Sequence, residues 1–208
     1  MFNPDSLFWR LISRCVDIVG LSLLWAALSL PIITCGPASA ALYYTVVKCF
    51  RQGDRDTFHT YWDSFKENLK QGLLLSLIAA VLLLFLGYGY SIMKANWSST
   101  IGQVMFVIYD ILLLVPLGTL CYLFPLQGRF QLPTRDLVVN AFLLAMKHIF
   151  TTIIVTLFLV EVVVTTAEYW WPIFITPFLS AFVASLFLEK IFARYLEGDE
   201  KEKFENKN

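Results

Sequence analysis

Three carboxylates stand inside apolar runs of this 208-residue chain: Asp17, Asp110 and Glu161. An ionised carboxylate in hydrocarbon is costly, so such groups usually face a bundle interior or a water-filled cavity. That makes these three the first functional candidates. A proton or cation path would use Asp110, which falls mid-run between Tyr109 and Ile111. A polar link from Asp110 to a Ser, Thr or Tyr of another helix is the plainer reading, and the one the sequence favours. Asp17 lies one helical turn from Arg14, a spacing that suits a local ion pair. Glu161 falls toward the far end of its run.

The other reactive residues form no constellation. The two His, at 59 and 148, fit no metal pattern such as H-E-x-x-H, and His148 reads as a solvated residue at a helix start. Cys15, Cys35, Cys49 and Cys121 show no C-x-x-C spacing and read as small apolar packing residues. There is no G-x-S-x-G elbow of a hydrolase and no GxxxxGK[ST] loop of an ATPase. The sequence therefore predicts no enzyme, no metal site and no cofactor.

Composition says where such a chain must fold. Hydrophobic residues make up 58% and charged residues 15%, against about 25% charged in soluble domains. A soluble domain of this length buries only about 70% of its unfolded surface and could not hide that much apolar area. Net charge is zero, which speaks against nucleic acid as a partner. The lipid bilayer is the partner the composition requires.

A spanning helix needs about 20 mainly apolar residues. Runs at 16–34, 73–93, 101–124, 149–164 and 170–188 meet that need. The fourth belongs to a longer stretch, 137–167. A shorter apolar piece, 38–47, lies between the first two. Pro31 and the pair Gly36-Pro37 break the first stretch, because proline lacks a backbone donor and clashes with the turn before it. Pro37 suits the first position of a new helix. Pro125, Pro133 and Pro172 lie near the ends of other runs. Around the first break, Pro31, Thr34, Gly36, Pro37 and Ala40 bring small side chains that let helices approach closely. Tight packing of a helical hairpin is expected there. A broken helix lining a substrate site is the functional alternative.

Lys and Arg set the orientation, because they concentrate in cytoplasmic loops. With the N-terminus, 48–70, 125–147 and the C-terminus inside, Lys94 alone among the 16 falls outside. Tyr88, Tyr90, Trp97, Tyr169, Trp170 and Trp171 then cluster at the outer interface, where amphipathic rings belong. The N-terminus and 48–70 share a side only if the 38–50 piece returns. The fold expected is thus an all-α, polytopic membrane helix bundle of six helices with a short Pro/Gly-broken first hairpin. Five spans plus a re-entrant or surface helix is the alternative. One domain covers 1–196, and a charged cytoplasmic tail covers 197–208. A signal peptide cut at Ala38-Ser39-Ala40 is a weaker rival, since the run is long and two prolines break it.

One segment outside the spans is patterned. Phe58, Tyr61, Trp62, Phe65 and Leu69 recur at i, i+3, i+4, i+7 and i+11, one face of a helix. Asp63, Lys66, Glu67 and Lys70 lie off that face. The stripe could lie flat on the inner leaflet, dock in a partner's groove, or continue the next span inward.

Two blocks then carry a likeness. The first is SLPIITCGPASAALY at 29–43. The second runs from RQGD at 51–54 to FKENLKQ at 65–71. In this order they resemble the signature of the YesL-like family of bacterial membrane proteins, a domain-of-unknown-function family. The likeness covers about residues 7–90. Members are typically encoded beside carbohydrate ABC importers and glycoside hydrolases, and the family offers no catalytic residues to transfer. The resemblance implies a cell-membrane accessory or regulatory subunit of an oligosaccharide ABC importer, with the permease subunits as partners. An autonomous small-solute or ion carrier or channel is the alternative.

Overall fold

Pro31 disfavours helical backbone in the residue before it, and the first helix, α1 (Leu7–Ser29), stops just short of it. The computed structural model describes the backbone of residues 7–169 and 171–205, and the side chains of 12–169 and 171–194. The expected charged tail, 197–208, lies wholly outside the described side chains, and its last three residues lie outside the described backbone as well. A short 3-10 turn (Ile32–Thr34) follows α1. Thr34 Oγ1 donates to Leu28 O at 2.5 Å and to Pro31 O at 2.7 Å. The bond to Leu28 O satisfies a carbonyl that the end of α1 leaves unpaired.

The chain then reverses. Helix α2 (Cys35–Thr45) runs on as a π-helical turn (Val46–Arg51). Trp25 Nε1 donates to Ser39 Oγ at 3.1 Å near the bend, and Arg14 Nη1 donates to Cys49 O at 3.2 Å at the other end. The two helices are therefore antiparallel along the whole of α2. Eight of the eleven α2 residues are buried, which rules out a surface helix. The five-span alternative keeps its count of long spans, and of its two forms the surface helix is the one that this burial excludes.

Gly53, at φ +88°, turns the chain toward the next helix in a region glycine enters freely. Asp54 beside it accepts from the backbone N–H of Asp56 and Arg55 and pairs with Lys48 at 3.4 Å. Those N–H groups first, and then the ammonium, hold its carboxyl below the usual carboxylate range. Helix α3 (Thr57–Ala95) follows, then α4 (Thr100–Arg129), α5 (Thr134–Lys147), α6 (Ile149–Glu168) and α7 (Thr176–Glu205). A 3-10 turn (Trp171–Phe174) joins the last two. Among the described residues there is no strand. The protein is an all-α helical bundle.

Five helices are long and apolar enough to cross a membrane: Ile12–Ser29, Thr57–Ala95, Thr100–Arg129, Ile149–Glu168 and Thr176–Arg194. Helix α3 has 39 residues, about 58 Å of helix, against about 30 Å of hydrocarbon. Its first turns must project beyond the apolar layer. Helix α4 continues through Pro116 and Pro125, so Pro125 does not end a helix as its position suggested. Membrane helices tolerate proline because neighbouring helices, Ser and Thr side chains and local changes of helical pitch re-satisfy the backbone groups it frees. The long 137–167 run divides at His148 (φ −115°, ψ 50°). Thr152 Oγ1 bridges this break, bonding Ala145 O at 2.8 Å and His148 O at 3.1 Å. Burial, with Lys147 and Arg194 nearby, holds the His148 imidazole below its ordinary pKa.

Two apolar clusters form the core. One gathers Tyr43, Leu75, Tyr122, Leu137, Leu144, Leu188 and Phe192. The other gathers Leu21, Ala38, Leu42, Val46, Tyr61, Phe65 and Phe178. Helix α2 belongs to both. It reaches its neighbours through small residues. A Cβ on Gly72 would meet Pro37 at 2.8 Å, and one on Gly128 would collide with the Ala40 carbonyl oxygen. One on Gly36 would collide with Ser76 Oγ and meet Phe124 at 2.6 Å. The expected hairpin residues thus pack α2 mainly against α3 and α4.

Gly36→Ala should lower stability by about 1–3 kcal/mol, the usual cost of overpacking. Gly87→Ala should be neutral or slightly stabilising, because nothing lies within 4 Å of its Cβ position and alanine favours helix. Thermal unfolding in detergent reads both. Equal melting temperatures for the two variants would remove the close approach from the account.

Candidate functional site

The three intramembrane acids are not gathered together. Asp17 Oδ2 accepts from Thr57 Oγ1 at 3.4 Å on α3. The local pair with Arg14 does not form: Arg14 donates to Cys49 O instead and lies 5.1 Å from the Phe50 ring centroid. The returning α2 brings that carbonyl and ring to Arg14, which an isolated helix lacks. Asp110 is exposed on α4. Its neighbour Tyr109 makes the polar link between helices, donating to Leu86 O on α3 at 2.7 Å. Glu161 is exposed on α6 and accepts from Thr165 of its own helix at 3.4 Å.

The aromatic stripe forms the first four turns of α3, continuous with the span. It divides by burial. Tyr61 and Phe65 are buried, and Leu69 packs beside them in the α1–α2–α3 cluster. Tyr61 donates to Ala38 O at 3.2 Å. These three serve the protein's own core, since α2 supplies the groove they fill. Phe58 and Trp62 stay 45% and 42% exposed. Trp62 stacks on Phe65 at 5.9 Å, with the Lys66 ammonium 5.4 Å from its ring centroid.

A cavity of about 560 Å³ lies among α1, α2, α4, α6 and α7. Its walls are largely aliphatic and aromatic: Leu42, Phe124, Leu159, Val162, Ile173 and Ala181 contribute. Its polar side chains are already engaged. Trp25 bonds Ser39. Thr166 and Thr176 hydroxyls meet at 3.2 Å, and Thr176 also donates to Pro172 O. Ser180 donates to Pro177 O at 2.7 Å. Cys121 Sγ lies 3.6 Å from Thr156 Oγ1.

The last polar wall residue, Tyr43, leads to a charged group. Its hydroxyl donates to Glu189 Oε1 at 3.1 Å, and Arg129 Nη2 lies 3.5 Å from Glu189 Oε2. The side chains of Arg129 and Glu189 are 25% and 14% exposed, so the pair is mostly desolvated. Sequence reasoning missed this triad. Arg129 and Glu189 stand on helices 60 residues apart in the chain, and only folding brings them to Tyr43. The available signal was an acid, Glu189, directly after the apolar run ending at 188. Among the described residues, no three His, Cys, Asp or Glu side chains come close enough to hold a metal.

A family model described as "Protein of unknown function, DUF624" matches residues 18–90. That stretch holds the second half of α1, the bend, α2 and most of α3. No curated protein and no solved structure matches the chain.

Arg129→Met should cost about 1–3 kcal/mol, because it leaves a mostly buried carboxylate without its cation. Combining it with Glu189→Met should cost clearly less than the two single losses added together. Unfolding of the four proteins of this double-mutant cycle measures the coupling; simple additivity would mean the pair contributes nothing.

Proposed function

We propose that this chain is an accessory or regulatory membrane subunit working with a bacterial carbohydrate ABC importer, and that it does not itself carry the sugar. One observation carries the second half of this reading: the cavity offers apolar walls whose polar groups are already bonded. A sugar presents hydroxyls on every face, and each buried without a partner costs roughly 1–3 kcal/mol. The first half rests on the YesL-like blocks, which fall inside the stretch matched by the family of unknown function. Within the α3 stripe, Phe58 and Trp62 are the exposed aromatics that a permease subunit would engage.

A carrier or channel for a small solute or ion is the second reading. Exposed Asp110 and Glu161 on apolar helices favour it, since intramembrane carboxylates often mark ion paths. We place the protein in the cell membrane with both termini cytoplasmic. The fold supports this by gathering Arg14, Lys48, Arg51 and Arg129 at one end, with Lys94 at the α3–α4 turn.

The chain, tagged and extracted in mild detergent, should bring down the permease pair of a sugar importer. Phe58→Ser with Trp62→Ser should cut recovery several-fold at equal expression. Absence of permease under every condition, combined with liposomes of the purified chain that move an ion and lose it with Asp110→Asn, would favour the carrier. Orientation is read in a cysteine-free background: Gln52→Cys should label only from inside, and Ser98→Cys only from outside. Labelling of both from one side would overturn the crossing of α3 and this orientation with it.

A further inference from the structure

We infer that the cavity among α1, α2, α4, α6 and α7 is a binding site for one acyl chain of a bilayer lipid. This inference does not depend on the importer reading. Its volume, about 560 Å³, lies within the range of ligand sites, about 300–1,000 Å³. Such sites normally pair apolar walls with a few free polar groups that orient a ligand. Here Trp25, Ser39, Tyr43, Thr166, Thr176 and Ser180 all spend their polar atoms on protein partners. The walls therefore select for a ligand that asks for no hydrogen bonds. Water is a poor occupant for the same reason, because apolar cavities stay dry.

The mouth identifies the source. Val163 lines the cavity and is also 67% exposed. It sits on α6, one of the five helices apolar enough to cross the membrane. Val163 therefore joins the cavity wall to the exposed surface of that span, and there we place the mouth, facing hydrocarbon. An acyl chain is the apolar ligand present there at high concentration. It fills space that would otherwise leave the wall atoms without contact partners. The outer half of α6 then packs against the rest of the bundle partly through this chain.

Trp25 on the wall is the reporter. In the full-length protein, Trp9, Trp62, Trp97, Trp170 and Trp171 are replaced by Phe. The protein is placed in phosphatidylcholine vesicles whose acyl chains carry bromine at mid-chain. Trp25 fluorescence should be quenched by the brominated lipid and not by aqueous iodide. Ala181→Phe, which fills the cavity, should reduce that quenching at least twofold. Val163→Phe narrows the mouth from an exposed position and serves where Ala181→Phe fails to fold. Quenching by iodide would mean an aqueous site, and no quenching by either agent would mean a sealed void. Brominated-lipid quenching untouched by both substitutions would mean contact with bulk lipid alone. Each of these three results overturns the site.

Discussion

The fold depends on how closely the backbone of α2 can approach α3 and α4. In a bilayer the helices gain nothing from leaving water, so association rests on van der Waals contact and interhelical hydrogen bonds. Helix α2 is the extreme case, because most of its surface meets protein. Its Gly36 and Ala40 face Gly72 and Gly128 with no room for larger groups. Ser76 completes the contact. It donates to Gly72 O at 2.7 Å and accepts from the Gly36 N–H at 2.8 Å. That N–H belongs to the first turn of α2, where no residue i−4 can satisfy it. Thr34, at the N-cap position, makes no capping bond to α2, so a serine from another helix does the work. Both core clusters are built outward from this junction.

Charge is arranged around the same junction. Glu189 can sit near the core because Arg129 and Tyr43 meet it there. Arg51 donates to Ser185 O, joining the π-helical turn to α7. Gln127 Nε2 donates to Asn68 O at 3.1 Å, tying α4 to α3 at the basic end, and Gln71 donates to Leu132 O at 2.8 Å, tying α3 to the link after α4. At the opposite end the α3–α4 hairpin relies on Tyr109, the Tyr90–Phe106 ring contact and Trp97 against Phe106. Polar bonding between helices is dense at the basic end and sparse at the other.

What could be read from the residues follows from this. Hydropathy located the five long spans, because every crossing helix needs its own apolar length. Pro31 and Gly36-Pro37 announced the reversal, because each acts on its local backbone. The aromatic stripe showed a helix with an apolar face, but periodicity cannot say what that face meets. Tyr61 and Phe65 turn inward only because α2 offers a groove. Arg14 and Asp17 illustrate the same limit, since one turn of separation suits a pair until tertiary partners offer better geometry. Pro125 misled for a related reason: its cost to a helix depends on what surrounds the freed carbonyl. The triad and the cavity were illegible, as both arise between elements distant in the chain.

The depth at which polarity runs out also constrains what the bundle can do. A path for a sugar needs unspent donors and acceptors along its length. Here the hydroxyls on the cavity wall close on their own helix or on the next one, as Thr166 and Thr176 do across the α6–α7 turn. Such closure is favourable in a low-dielectric setting, where an open hydroxyl is expensive. A cavity whose wall hydroxyls are bonded within the protein, and whose remaining surface is apolar, suits hydrocarbon better than sugar. Phe58, Trp62 and the basic residues then stand at the ends of the helices, while Asp110 and Glu161 stay exposed on the apolar lengths between them.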